Sequence, residues 1–88
     1  MEMEEYSLGS GYKLLIGLYR RGTLQGGQLR DYISNYTTAV NEARKLEERD
    51  LIKITIVRDR RIVHYYELTD KGKKVAELLA RADDIINS

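Results

Sequence analysis

Asn41 and Arg44 stand one helical turn apart, and an amide and a guanidinium each present paired hydrogen-bonding groups in a plane. Such groups bond bidentately to flat polar edges, those of adenine and guanine among them. Thr37, Thr38 and Val40 add methyls and hydroxyls beside them, and Lys45 adds a point charge. A second cluster, Arg58, Arg60 and Arg61, is broken only by Asp59, and guanidinium groups at that density suit phosphate oxygens or a narrow, negative groove. Residues for bond-making chemistry are scarce. The chain has no cysteine and His64 is its single histidine, so thiolate redox chemistry is excluded and a protein-only transition-metal site would rest on one imidazole and carboxylates. There is no nucleophile–base pair, carboxylate dyad or metal cluster, and no enzyme, metal or cofactor is expected. Gly26-Gly27 lacks the spacing of a phosphate-cradling loop, and His64 is read as structural, beside Tyr66.

Charge is divided along the 88 residues behind a net +1. From Gly11 to Lys74 there are 14 Lys/Arg against 8 Asp/Glu, whereas the first ten residues contribute −3 and Val75 to Ser88 contribute −2. A basic middle between acidic ends suits a polyanion on one side and another contact elsewhere; the plainer reading is a solvated surface. No apolar run approaches the roughly 20 residues of a membrane span, and MEMEEY does not read as a signal peptide, so no membrane partner and a cytoplasmic location are expected.

The elements that must position the first cluster lie in QLRDYISNYTTAVNEARKLEERDLI, Gln28 to Ile52. Leu29, Tyr32 and Ile33 recur at i, i+3, i+4 and predict a short helix over Gln28 to Ile33. Ser34-Asn35 favours a turn and an N-cap. A longer helix, Tyr36 to Arg49, follows, with Ala39, Ala43 and Leu46 at i, i+4, i+7 as a narrow buried stripe. Thr37, Thr38, Val40, Asn41, Arg44 and Lys45 then face outward. Tyr36 is expected to put its ring in and its hydroxyl out. This is a helix-turn-helix pattern, whose second helix presents its front to base edges.

Before it, Met1 to Gly9 reads as a flexible acidic lead from which Leu8 could dock, and a first helix starts near Ser10. Tyr12, Leu15, Ile16 and Tyr19 form one apolar row and Leu14 and Leu18 a second. Two rows need two burial partners, the helix-turn-helix and, on this reading, a second copy of the chain. Arg20-Arg21-Gly22 closes this helix, and Thr23-Leu24 is a brief extended link. Beyond Asp50, LIKITIVR and IVHYYEL alternate as strands, with Ile52, Ile54 and Ile56 facing the side of Ile62, His64, Tyr66 and Leu68. Both apolar sets share a side only if paired numbers add to an even total, such as Ile54 opposite Tyr66, which requires a three- or five-residue tip within Arg58 to Ile62. Thr69 reads as an N-cap, and Val75, Leu78, Leu79, Ala82, Ile85 and Ile86 form a stripe longer than one small domain covers. Together with Leu14 and Leu18 this stripe is the expected homodimer interface.

The order of elements, with ARKLEERDLI at Ala43 to Ile52 and YELTDKGKKVAELL at Tyr66 to Leu79, resembles the winged helix-turn-helix domain, an α+β fold of three helices, a two-stranded β-hairpin wing and a C-terminal helix. The first run is similar to Leu-Glu-Glu-x-Gly-Leu-Ile and the second to Tyr-x-Leu-Thr-x-x-Gly. The resemblance covers nearly the whole chain, residues 10–88 with a dimerisation helix at about 69–87, and is nearest to small prokaryotic, archaeal or archaeal-virus regulators of the MarR, ArsR and PadR kind. It implies a sequence-specific regulator of double-stranded DNA, with helix 36–49 in the major groove and the wing at 58–61 on the minor groove or backbone. Base edges would fall to Thr37, Thr38, Val40, Asn41 and Arg44, with Tyr36 beside them; phosphates to Lys45, Arg30 and Lys13; and the wing contact to Arg58, Arg60 and Arg61. A protein-interaction winged helix and a nonspecific, chromatin-type nucleic-acid binder are the alternatives. Asp50 departs from the usual glycine, and the chain has no residues to spare for the helices of an effector pocket, so no small-molecule effector is expected.

Overall fold

A computed structural model describes residues 9–88 of the chain; the expected acidic lead, apart from Gly9, and the docking of Leu8 lie outside the described residues. The elements are α1 (Gly11–Arg21), β1 (Leu24–Gln25), a 3₁₀ helix (Gly26–Asp31), α2 (Tyr36–Glu48), β2 (Ile52–Arg58), β3 (Ile62–Leu68) and α3 (Asp70–Ile86). No helix among the described residues is long and apolar enough to cross a membrane.

α1 is the central helix because the aliphatic residues of both its apolar rows are buried. Leu14, Leu15, Ile16 and Leu18 all lie in the interior, whereas Tyr12 and Tyr19, expected to share the buried row, flank it in solvent. Leu14 and Leu18 are 1% and 2% exposed, which corrects their assignment to a dimer face. The element packed most extensively on α1 is the chain's own α3, which buries Ala76 and Ala80. Small side chains let two helices approach closely, and with Leu14 and Leu18 buried inside the chain they present no surface to a second copy. Arg20 clamps the far end, bonding Asp84 at 2.7 Å and Asp83 at 3.3 Å.

The expected two-turn helix at Gln28 to Ile33 is instead a 3₁₀ helix beginning two residues earlier. Gln25 and Gln28 cap each other, with the Gln25 amide donating to Gln28 Oε1 at 2.7 Å. Two successive glycines carry little α propensity, and the tighter i→i+3 winding suits so short a segment. The turn still delivers Leu29 and Ile33 to the core, and the Tyr32 ring lies where a Cβ on Gly17 would meet it at 2.5–2.7 Å.

The wing has the even-total register inferred from its alternation, with Ile52 opposite Leu68, Ile54 opposite Tyr66 and Arg58 opposite Ile62. Asp59, Arg60 and Arg61 form the three-residue tip, where the Asp59 amide donates to the Arg61 carbonyl at 3.1 Å. The link at Leu24–Gln25 pairs antiparallel with β3, so the hairpin gains a third strand in the order β1-β3-β2.

One corner joins the helix-turn-helix to the wing and α3. Asp50 takes φ 61 in the left-handed region, the conformation that glycine adopts freely and an aspartate at some cost. Its carbonyl accepts from Thr69 Oγ1 at 2.6 Å, the same hydroxyl accepts from the Gly72 amide at 2.9 Å, and the Thr69 amide donates to the Leu51 carbonyl at 3.1 Å. A Cβ on Gly72 would overlap that Leu51 carbonyl. Thr69 is thus the N-cap read from the sequence, and the Thr-x-x-Gly spacing has a steric origin.

Candidate nucleic-acid interface

α2 is amphipathic in the sense its stripe predicts. Ala39, Ala43 and Leu46 are fully buried against the 3₁₀ helix, α1 and β2, while Thr37, Thr38, Asn41, Arg44 and Lys45 are exposed and Val40 is half-buried. The helix starts on Asn35, whose Oδ1 accepts from the Thr38 amide at 3.0 Å; this cap holds the first turn open toward solvent without using a side chain of the front. Asn41 and Arg44 share a shallow depression of about 250 Å³ with Tyr36, Thr37 and Val40.

Behind that front, a groove of about 470 Å³ runs between α2 and the wing, lined by Tyr36, Val40, Arg44, Glu47, Glu48, Ile54, Ile56, His64 and Tyr66. Its floor is the even-numbered face of the hairpin. The core covers Ile52 and Tyr66, but the sheet outruns the helices, leaving Ile56 and Ile62 exposed toward the tip. A third depression, about 200 Å³, continues from the groove to Arg61 and is bounded by Gln25, Gly26, Gly27, Tyr36, Ile62, Val63 and His64. Tyr36 borders all three hollows and His64 borders two, so one continuous trough leads from Asn41 and Arg44 past Tyr36 and His64 to Arg61.

Burial raises the Tyr66 hydroxyl above the ordinary tyrosine range, with Tyr36 and Glu47 adding to the shift and Arg44 opposing it. The phenol is therefore neutral, and the charged side chains that line the groove are Arg44, Glu47 and Glu48. Lys45 is partly offset by Glu42 at 3.4 Å. Among the described residues no ion pair engages Arg30, Arg44, Arg58, Arg60, Arg61 or Lys13.

Of the residues singled out from sequence, Tyr36, Thr37, Val40, Asn41 and Arg44 are brought together on one front. Arg61 joins the trough, and Arg58 and Arg60 are exposed at the same wing end. Lys13 and Arg30 are exposed on α1 and the 3₁₀ helix and do not line the trough. Tyr36 differs from expectation: it is 45% exposed and outside the core cluster, and its hydroxyl sits 3.3 Å from where a Gly26 Cβ would be. Its side chain borders the trough instead of the core. His64, read as structural, is half-buried on the trough floor. The hairpin register placed it on that face; what the sequence did not reveal was that α2 stands off the outer half of the sheet. On α3 the expected stripe divides. Val75 and Leu79 pack against the core, whereas Leu78, Ile85 and Ile86 are 65%, 74% and 79% exposed and Ala82 is exposed beside them.

No protein-family model and no curated protein sequence matches the chain. Solved structures do match. The transcriptional regulator homologue protein from Pyrococcus horikoshii OT3 aligns with TM-score 0.71 and 23% identity over 90% of this chain and 82% of that one. Diamide-treated YodB from B. subtilis aligns with TM-score 0.67 and 13% identity over 96% of this chain and 91% of that one. With the helix-turn-helix, the antiparallel hairpin and the closing helix in the same arrangement as in these structures, the chain has the α+β winged helix-turn-helix fold.

Proposed function

We propose that this chain is a homodimeric, sequence-specific, DNA-binding transcription regulator of the cytoplasm, akin to the MarR, ArsR and PadR kind and without a small-molecule effector. α2 enters the major groove and the wing tip lies on the adjacent minor groove or backbone. The observation that carries this is the two-sidedness of α2: its back is fully buried, while Thr37, Thr38, Asn41, Arg44 and Lys45 stand in water with an arginine tip beside them. A helix held so firmly from behind, with paired hydrogen-bonding groups in front, suits base readout. The description of the Pyrococcus horikoshii protein as a transcriptional regulator homologue agrees.

In this reading Thr37, Thr38, Val40, Asn41 and Arg44 meet base edges; Lys45, Arg30 and Lys13 hold phosphates; and Arg58, Arg60 and Arg61 form the wing contact. Two copies associate through Leu78, Leu79, Ala82, Ile85 and Ile86 of α3, placing two recognition helices about 34 Å apart and favouring a palindrome. A salt-titrated gel shift with competitor DNA tests the proposal. Sequence preference that survives the competitor is expected. Retention without preference would indicate a nonspecific, chromatin-type binder, and no retention at moderate salt a protein-interaction winged helix.

A further inference from the structure

Resting on that DNA-binding reading, we infer that His64 and Tyr36 bind a backbone phosphodiester of the DNA strand that passes from α2 to the wing, His64 doing so as the imidazolium. The trough carries Arg44 on its α2 side and Arg61 on its wing side, and Tyr36 and His64 are the residues that border both the groove and the wing-side depression. A strand leaving the major groove at Arg44 for the wing must cross this gap. Tyr and His side chains are ordinary phosphate donors there, and they fix register without reading sequence.

The charged and titratable groups around the seat point the same way. α2 supplies Arg44, Tyr36, Glu47 and Glu48, β3 supplies Tyr66, and the wing tip supplies Arg61. β2 presents Ile54 and Ile56, and β1 with the 3₁₀ helix presents Gln25, Gly26 and Gly27. Glu47 and Glu48 are on the last turn of α2 and Tyr36 on its first. Like-charge repulsion therefore keeps a phosphate away from the carboxylate end and toward Tyr36 and His64. A neutral imidazole has one N–H, whereas the imidazolium has two and a charge. A phosphodiester remains an anion from pH 5 to 8, the interval in which imidazole changes charge. The anion favours imidazolium, so binding takes up a proton: affinity is greatest at the acid end of the interval and is lost as pH rises through it.

Fluorescence anisotropy of a labelled duplex, at constant ionic strength and at about pH 5.5 and about pH 8, tests this. The native chain should bind roughly three- to tenfold tighter at the lower pH, with a salt slope steeper by about 0.9. His64→Gln should bind alike at both pH values, near the native high-pH affinity. As a probe that leaves the protein untouched, neutral methylphosphonates are placed singly across the footprint. One position beside the major-groove contact, on the wing side, should abolish the pH response. A native chain whose affinity does not change with pH overturns the inference while leaving DNA binding intact, as does a pH response that survives His64→Gln and every methylphosphonate. Failure to hold any duplex at either pH overturns the DNA-binding reading and this inference with it.

Discussion

Asn41 and Gly72 are opposite cases among single residues, one assigned by the proposal to readout and the other fixed by packing. Asn41 is exposed beside Arg44 and makes no structural hydrogen bond among those found for the described residues. Asn41→Ala is expected to leave the melting temperature within a few degrees of native and to relax preference at one base position by about 1–3 kcal/mol. A selected-site profile compared with the native one checks this; an unchanged profile would remove Asn41 from the contact set. Gly72 is the opposite case, because an added methyl would collide with backbone, the Leu51 carbonyl, and backbone cannot rotate aside as a side-chain tip can. Gly72→Ala should cost about 2–3 kcal/mol and lower the melting temperature by roughly 10–20 °C in a domain of this size. Gly27→Ala, where the new Cβ meets nothing within 4 Å, is the control expected to stay close to native in the same thermal melts.

At the scale of elements, the wing is a hairpin stabilised only at its base. Tyr66 and Ile52 are in the core while Ile56, Val57 and Ile62 are exposed, so the tip can be altered without disturbing the domain. Arg60→Ala should therefore weaken binding to all duplexes alike and flatten the dependence of log affinity on log salt by about 0.9, the signature of one lost phosphate contact. Loss of preference at a particular base would instead make Arg60 a reader of sequence. Tyr66 gives the same base a pH limit. Its pKa is raised in the folded chain, chiefly by burial; the unfolded phenol releases its proton first, and stability falls as pH climbs above about 10. Circular dichroism across that range should show an alkaline loss of stability that Tyr66→Phe reduces.

The whole molecule has one face accounted for by its own chain and one that is not. The leucines and isoleucine of α1 are buried, but the outer face of α3 keeps Leu78, Ala82, Ile85 and Ile86 in solvent along its C-terminal half. On the proposed reading this apolar stripe, on a helix whose other side is already packed, is the association surface, since self-association around a two-fold axis is the commonest use of such a face. Leu78→Glu combined with Ile85→Glu is expected to keep the fold, since both residues are exposed, while halving the sedimentation mass and abolishing preference for palindromic over single half-sites. A native chain that sediments as one copy at micromolar concentration would exclude the dimer.

The sequence by itself determined what local periodicity and local sterics control. The helix-turn-helix with its Ala39, Ala43 and Leu46 back, the N-caps Asn35 and Thr69 and the even-total register with its odd tip all follow from residue type and spacing within a few positions, whereas the corner at Asp50 was marked only by the resemblance, in which glycine is usual there. Only the tertiary structure decided which of several apolar faces meets which. A helical wheel shows that α1 has two apolar rows, not that α3 returns to pack on that helix, burying Ala76 and Ala80, and turns Leu78, Ile85 and Ile86 outward. Nor does alternation in the wing say where the helices cease to cover it, which is why Tyr36 and His64 came to border a trough. Periodicity is a property of one segment, whereas burial depends on the distance to every other segment, and that distance exists only once the chain has closed on itself.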